Sequence, residues 1–503
     1  MSGEARKVKS AWLPFPRDGI NLIAGAGDMK PTEAREIKNY WVYDSGIRQM
    51  PDVTENEAYT GGSNSNVYIL SSYGTKMFYA AQNKLWQIDS ATDTTPTDKT
   101  AALTITSDTW NALIFRQRIF LFNGADTPVQ HDFGAGNFTA SSYTGPTNAS
   151  LKQGCGYKSR MYLVETNATA FWYGAVDAIT GTFTSFDLQS LMSRSQDFIL
   201  CMFPFTYNQG QYNEDLFVIL TVKGEVLVYS GDYPAAANWQ LAARTIIPLP
   251  ASAALTVTGQ PFYRIANDVH IVTDRGLIPM STILAGAIIP NSYYNISRKI
   301  KNQVLAASNN VVAVDRSNPF LYCLSAENQS QLYVMNYETG AWSVYEPNLG
   351  AGELIISTGF FGNYLMLGTG EVDGSDGRLL NVNLAGTGSA DMDYVWKASF
   401  QNYGSFTSKN LKMLRVVGLN YGASSTFKNT VSCSVDFVDA SSPTTDTRST
   451  SVAADTNTVQ ELTPPAMGRW FAPHFSRVGV AAISELNEIS GCEVIFEEGG
   501  GVM

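Results

Sequence analysis

The stretch KGEVLVYSGDY, residues 223–233, decides how this chain is read. A glycine stands near its start, a short run with strand chemistry follows, and Ser-Gly-Asp closes it. In an extended strand Val226 and Val228 point one way, and Leu227 and Tyr229 the other. Gly224 sits at one turn and Gly231 ends the strand. The stretch reads as a hairpin strand of a larger repeated unit.

The same grammar recurs along the chain. Short β-branched and aromatic runs, punctuated by Gly, Asn, Asp and Ser, occupy residues 66–89, 112–138, 156–188, 215–233, 267–281, 311–346 and 359–384. Their uneven spacing is near or above that of four-stranded propeller blades. The pattern predicts an all-β protein with a β-propeller of about seven blades over residues 59–390. A tandem of β-sandwiches is the main rival. Residues 394–422, 429–440 and 468–501 read as longer alternating strands, and 441–458 as a polar loop. We therefore expect a C-terminal β-strand platform domain at 391–503 and an N-terminal segment, 1–58, that joins it. Helical signals are confined to 31–43, with Pro31 and Glu33 in a first turn, and 297–307.

Composition narrows function. The 503 residues carry 34 Lys+Arg and 45 Asp+Glu, a formal charge of -11. That balance opposes a nucleic-acid grip, which needs a basic stripe. Charged residues are 16%, below the usual quarter or so. The polar surface is instead Ser, Thr, Asn, Gln and Gly, which suits subunits facing one another. No run of about 18 apolar residues occurs, so no helix is expected to cross a membrane. Residues 1–16 lack the apolar stretch of a signal peptide. Cys155, Cys201, Cys323, Cys433 and Cys492 are scattered, without C-x-x-C pairs, and read as buried free thiols.

Catalytic patterns are absent. His131, His270 and His474 stand alone rather than at metal-ligand spacing. Gly25 and Gly418 open loose glycine patterns without a dinucleotide-fold context. Residues 371–377, EVDGSDG, offer alternate oxygens for calcium but lack the full loop frame. Glu225, Asp274 and Asp373 are possible members of a glycosidase carboxylate pair. Trp172, Trp239 and Trp342 could stack on sugars, though their places at strand ends favour blade-core packing. Arg298, Lys299 and Lys301 form the tightest basic cluster mid-chain. No catalytic, cofactor-binding or metal residue is assigned, and no cofactor is expected.

Several phrases in order resemble tail nozzle, or tail hub, proteins of short-tailed bacteriophages (podoviruses). They are FPRDGIN (15–21), AREIKNYWVYDSGIRQMPDV (34–53), LFNGADTPVQHDFGAGNF (121–138), SRMYLVET with FWYGAVDAITGTFTSFDL (159–188), VLVYSGD (226–232) and ISGCEVIFEEGG (489–500). Gly174 stands where Ser is usual, and Phe133 interrupts a commoner Asp-Gly. The resemblance implies a structural virion protein of the tail, assembled in the host cytoplasm and not an enzyme. It implies a homo-hexamer whose sixfold ring sits below the portal adaptor and mounts tail fibres, spikes or a needle. Double-stranded DNA would pass through its channel during genome ejection without specific binding, helped by an acidic wall. No membrane insertion is implied. The terminal segments would hold neighbouring subunits, and 441–455 is one candidate channel loop. Deleting 391–503 is expected to leave a foldable propeller that cannot assemble. The alternatives are a propeller glycan-binding protein or glycosidase, and a scaffold propeller.

Overall fold

In the computed structural model, Glu225–Ser230 is the third strand of a four-stranded antiparallel meander, between Asn213–Thr221 and Gln240–Ile246. All six of its residues are buried. The alternation divides two cores. Val226 and Val228 pack with Phe203 and Ile271 on one side, while Leu227 and Tyr229 pack with Tyr162 and Phe171 on the other. Gly231 has φ +106°, and a Cβ there would collide with the Asn238 carbonyl oxygen. Only glycine fits that turn.

The structure describes residues 7–25, 27–58, 66–208, 213–249, 261–265, 268–274, 276–285, 297–300, 312–314, 318–324, 328–350, 352–371, 377–386, 392–404, 406–421, 425–437, 446–452, 457–464, 466–477 and 486–498.

Six separate three- or four-stranded sheets form the blades of a β-propeller. The first begins at Tyr68–Tyr73, the second at Asn111–Phe115, the third at Leu151–Tyr157, the fourth at Ile199–Asn208, the fifth at Phe262–Ile265 and the sixth at Glu353–Phe361. Successive blades share apolar cores, such as Phe78, Leu85, Ile119 and Phe138 between the first two. The sixth blade takes its fourth strand from far upstream, where Thr54–Ala58 pairs with Arg378–Asn383. It closes on the first blade through Ser357, whose hydroxyl accepts the Ile69 amide at 3.0 Å and donates to the Val67 carbonyl at 2.7 Å.

The expected count of about seven becomes six self-contained blades. The remaining unit, the meander Val312–Val314, Phe320–Leu324, Leu332–Asn336 and Ala341–Tyr345, packs between the fifth and sixth blades. It is not separate, because its outer strand runs parallel to Ala34–Lys38 and thereby enters a nine-stranded sheet.

That sheet continues through Tyr394–Ala398, Phe471–Arg477, Ser425–Val435 and Asp446–Val452. A second, seven-stranded sheet is centred on Lys409–Tyr421 and Leu486–Glu498, with the N-terminal strands Lys7–Pro14, Tyr40–Val42 and Ile47–Gln49. Both sheets contribute to one core, in which Tyr40, Trp41, Tyr394, Trp396, Val416 and Phe496 lie buried. The same core takes in Tyr322 of the meander and Leu365 of the sixth blade. Chain beginning and chain end are thus woven into one terminal sandwich.

Asn39 is its joint. It is fully buried with φ +60°. Its side chain donates to the Asp393 carbonyl at 2.8 Å and accepts the Glu346 amide at 2.6 Å. Its own amide donates to the Val344 carbonyl at 2.7 Å. The helix expected at 31–43 does not form, and the left-handed backbone at Asn39 would itself interrupt one. Glu33 does reach back three residues to the Lys30 amide at 3.1 Å, as a capping residue would. Strand pairing of Ala34–Lys38 then overrides that local signal.

Of the helix expected at 297–307, Arg298–Ile300 is a 3-10 turn and 301–307 lies outside the described residues. The α-helix among the described residues, Met280–Leu284, follows the fifth blade instead. Within 441–458, Asp446–Val452 is an edge strand rather than loop, because an edge strand does not require an apolar run.

Candidate functional site

Most residues with chemical potential are committed to structure. His131 is buried. Its Nδ1 accepts the Phe133 amide at 2.8 Å, and its Nε2 donates to the Gly136 carbonyl at 2.9 Å. His270 is buried in the fifth blade, and loss of solvation pushes its imidazole down to about 4. His474 lies in the terminal sandwich, with Nδ1 3.3 Å from the Ser432 hydroxyl. The three are on different sheets. Among the described residues, no group of three or more His, Cys, Asp or Glu is arranged to hold a metal ion. All five cysteines are buried and free. Burial raises their thiols, Cys201 and Cys433 to about 12.

Glu225 is wholly buried; it pairs with Arg244 and accepts the Ser193 amide at 2.9 Å. Asp274 lies at a hairpin turn of the fifth blade, where its amide donates to the Pro248 carbonyl at 3.0 Å. Asp373 and most of the 371–377 turn lie outside the described residues, as does Lys301. Lys299 fastens the N-terminal segment, reaching the Asp18 carbonyl at 2.6 Å and Glu33 at 3.2 Å. Trp342 is fully buried. Trp239 stacks on Tyr229 at 5.0 Å, and Trp172 donates to Glu165 at 2.9 Å. Trp172 and Trp239 are packing groups of the blades, and Trp342 packs in the core between the fifth blade and the meander.

The family-like phrases also have local structural reasons. In LFNGADTP, the Asn123 side chain accepts the Ala125 and Asp126 amides at 3.0 and 2.8 Å. Asp126 in turn accepts the Thr106 amide at 2.9 Å and the Thr106 hydroxyl at 2.6 Å. These bonds outweigh desolvation and hold its carboxyl below the usual range.

Among the described residues, one exposed apolar surface lies on the seven-stranded sheet. Residues paired across antiparallel strands share a face. Leu13, Cys492 and Val416 therefore turn inward together, and their neighbours Trp12, Glu493 and Arg415 turn outward. Exposed on that outer face are Val8 (58%), Trp12 (53%), Val459 (56%) and Met467 (58%). Between them runs a charged ladder, in which Arg415 meets Glu461 at 2.8 Å and Glu493 at 3.2 Å. Trp12 lies against Gly491, where a Cβ would strike its ring. Among the described residues, Lys7–Pro14 pairs along one side only, leaving a strand edge beside the apolar face. Apolar groups interleaved with ion pairs and next to an open edge are the makings of a protein contact.

This surface was not singled out from the sequence. Residues 8–13, VKSAWL, carry no strict apolar and polar alternation, so no local periodicity marks this strand.

No family model matches the chain, and no curated protein matches it. Solved structures do. A streptogramin B lyase structure is 13% identical, with 66% of this chain and 97% of that one covered and a TM-score of 0.43. YCF48 from Cyanidioschyzon merolae is 10% identical, covering 66% and 98%, with a TM-score of 0.39. The WD40 domain of Neurospora crassa Pan2 is 11% identical, covering 67% and 96%, with a TM-score of 0.37. These neighbours are β-propellers, and at such identities the likeness concerns the fold alone.

Proposed function

We propose that this chain is a structural subunit of a short phage tail, a nozzle or hub that assembles as a homo-hexamer around a channel for the genome. The observation that carries the reading is the meeting of first and last strands in one open-faced sheet, with Val8, Trp12, Val459 and Met467 exposed. The resemblance implies that such terminal segments hold neighbouring subunits. The charge of -11 suits a wall past which phosphate slides without sticking. A portal adaptor and fibres, spikes or a needle are the further partners in this reading. It assigns the chain no catalytic step.

The glycan reading requires aromatic rings and carboxylates at a channel mouth. Trp342 is buried and Glu225 is paired with Arg244, so neither serves it. Electron microscopy of the purified chain and of assembled particles, with two-dimensional averaging, tests the proposal. A sixfold ring with a central channel is expected. A monomeric disc absent from any particle overturns it, and a positive glycan-array screen would then favour the alternative.

A further inference from the structure

The seam between the first two blades is held by a loop gathered around one imidazole. Residues 132–137 leave the third strand of the second blade, Val129–His131, and lean on the first blade. Lys76 donates to the Gly134 carbonyl at 2.7 Å, and Lys99 to the Ala135 carbonyl at 3.0 Å. Phe133 stacks on Tyr73 with ring centres 4.3 Å apart. Phe133 holds φ +62°, a conformation that an aromatic residue keeps only when its surroundings enforce it. His131 supplies the enforcement. Its Nδ1 accepts the Phe133 amide and its Nε2 donates to the Gly136 carbonyl, so one neutral tautomer clamps the loop at both ends.

We propose that His131 is an acid-released latch: the neutral ring fastens loop 132–137 across the blade seam, and protonation at Nδ1 removes the acceptor for Phe133 and frees the loop. The surroundings oppose the added charge. Phe78 and Phe138 lie 5.0 Å from the ring. Lys76 and Lys99 of the first blade repel a second cation, while Asp132 favours one. Asp132 is itself partly answered by Arg118. Burial is the largest influence and holds His131 below the usual histidine range. This latch is independent of any role in a tail.

Hydrogen exchange of the full chain, corrected for intrinsic rates, tests it on the peptide covering 131–138. Protection is expected to fall at least tenfold between about pH 7 and about pH 4.5, in step with the His131 titration followed by NMR. His131→Gln keeps a donor and an acceptor without titrating, and its loop protection is expected to stay flat. A flat wild-type profile overturns the latch, as does a His131→Gln variant that loosens with the wild-type midpoint. If His131→Gln does not fold, Lys76→Met serves. Removing that cation is expected to raise the midpoint, and an unmoved midpoint overturns the proposal.

Discussion

The blades and the terminal sandwich are both antiparallel β structure, yet they are assembled from opposite kinds of contact. Within the second blade, Asn111 pairs with Phe122 and Ile119 with His131. In the sandwich, Lys7 pairs with Glu498 and Ala34 with Ala398. The first five blades repeat a local solution, the sixth borrows only its last strand from far upstream, and neighbouring blades bury shared cores between them. The sandwich forms only once the whole chain is present, and it leaves one face uncovered. Local pairing supplies the ring of blades, and distant pairing supplies the exposed apolar face on which the proposed subunit contacts rest.

The harshest way to break this comparison is deletion of 391–503. If the sandwich were an appendage, the remainder would keep its full fold. The shared core, with Tyr394 and Trp396 against Tyr40 and Ile37, instead predicts that the meander at 312–345 is lost as well. Circular dichroism and proteolysis would show five or six protected blades and a digested 312–345. Intact protection there would separate the two regions after all.

Next comes the joint. Asn39→Ala removes the side-chain bonds to two part-buried backbone groups, the Asp393 carbonyl and the Glu346 amide, and places alanine at a left-handed φ. A loss of about 4 kcal/mol is expected in denaturant unfolding. Asn39→Gly restores the backbone freedom and should recover about 1 kcal/mol of it.

Acid probes the propeller side. The folded-state value of His270 lies below its unfolded value, so the unfolded chain takes up the proton first. Its contribution is present above about pH 6.5 and is lost as pH falls toward about 4, up to about 3 kcal/mol. His270→Phe should flatten that part of the pH profile. Unchanged acid sensitivity would assign it elsewhere.

Gly231→Ala, forced to φ +106° beside the Asn238 carbonyl, should cost about 2 kcal/mol, felt in the fourth blade and not in the sandwich. The smallest effect belongs to the exposed Lys158–Asp215 pair between the third and fourth blades, 3.0 Å apart. A double-mutant cycle should give less than about 1 kcal/mol; a larger coupling would make surface charge a real part of the seam.

The same contrast explains what was legible. All seven strand-rich units read from the sequence correspond to hairpins or meanders, because alternation of residues such as Val226 and Leu227 is a local signal. The fate of 34–43 was not legible. Pro31 and Glu33 do make a helix-like turn, but Ile37 is needed by a core that Trp396 completes from 359 positions away. Likewise Trp12 looks unremarkable in the sequence until Glu493 is placed opposite it.

By itself, then, the sequence determined the strands, their turns and the propeller class, since alternation and glycine placement act over a few residues. Histidine and cysteine spacing shows no local metal or redox motif, whereas the placement of the three histidines on different sheets belongs to the tertiary structure. Only the tertiary structure decided that six blades stand alone while a further meander is drawn into the sandwich. It alone paired the chain's two ends and exposed Trp12. Those outcomes depend on which distant strand edges find one another, and hydrogen-bond partners hundreds of residues apart leave no periodicity along the chain.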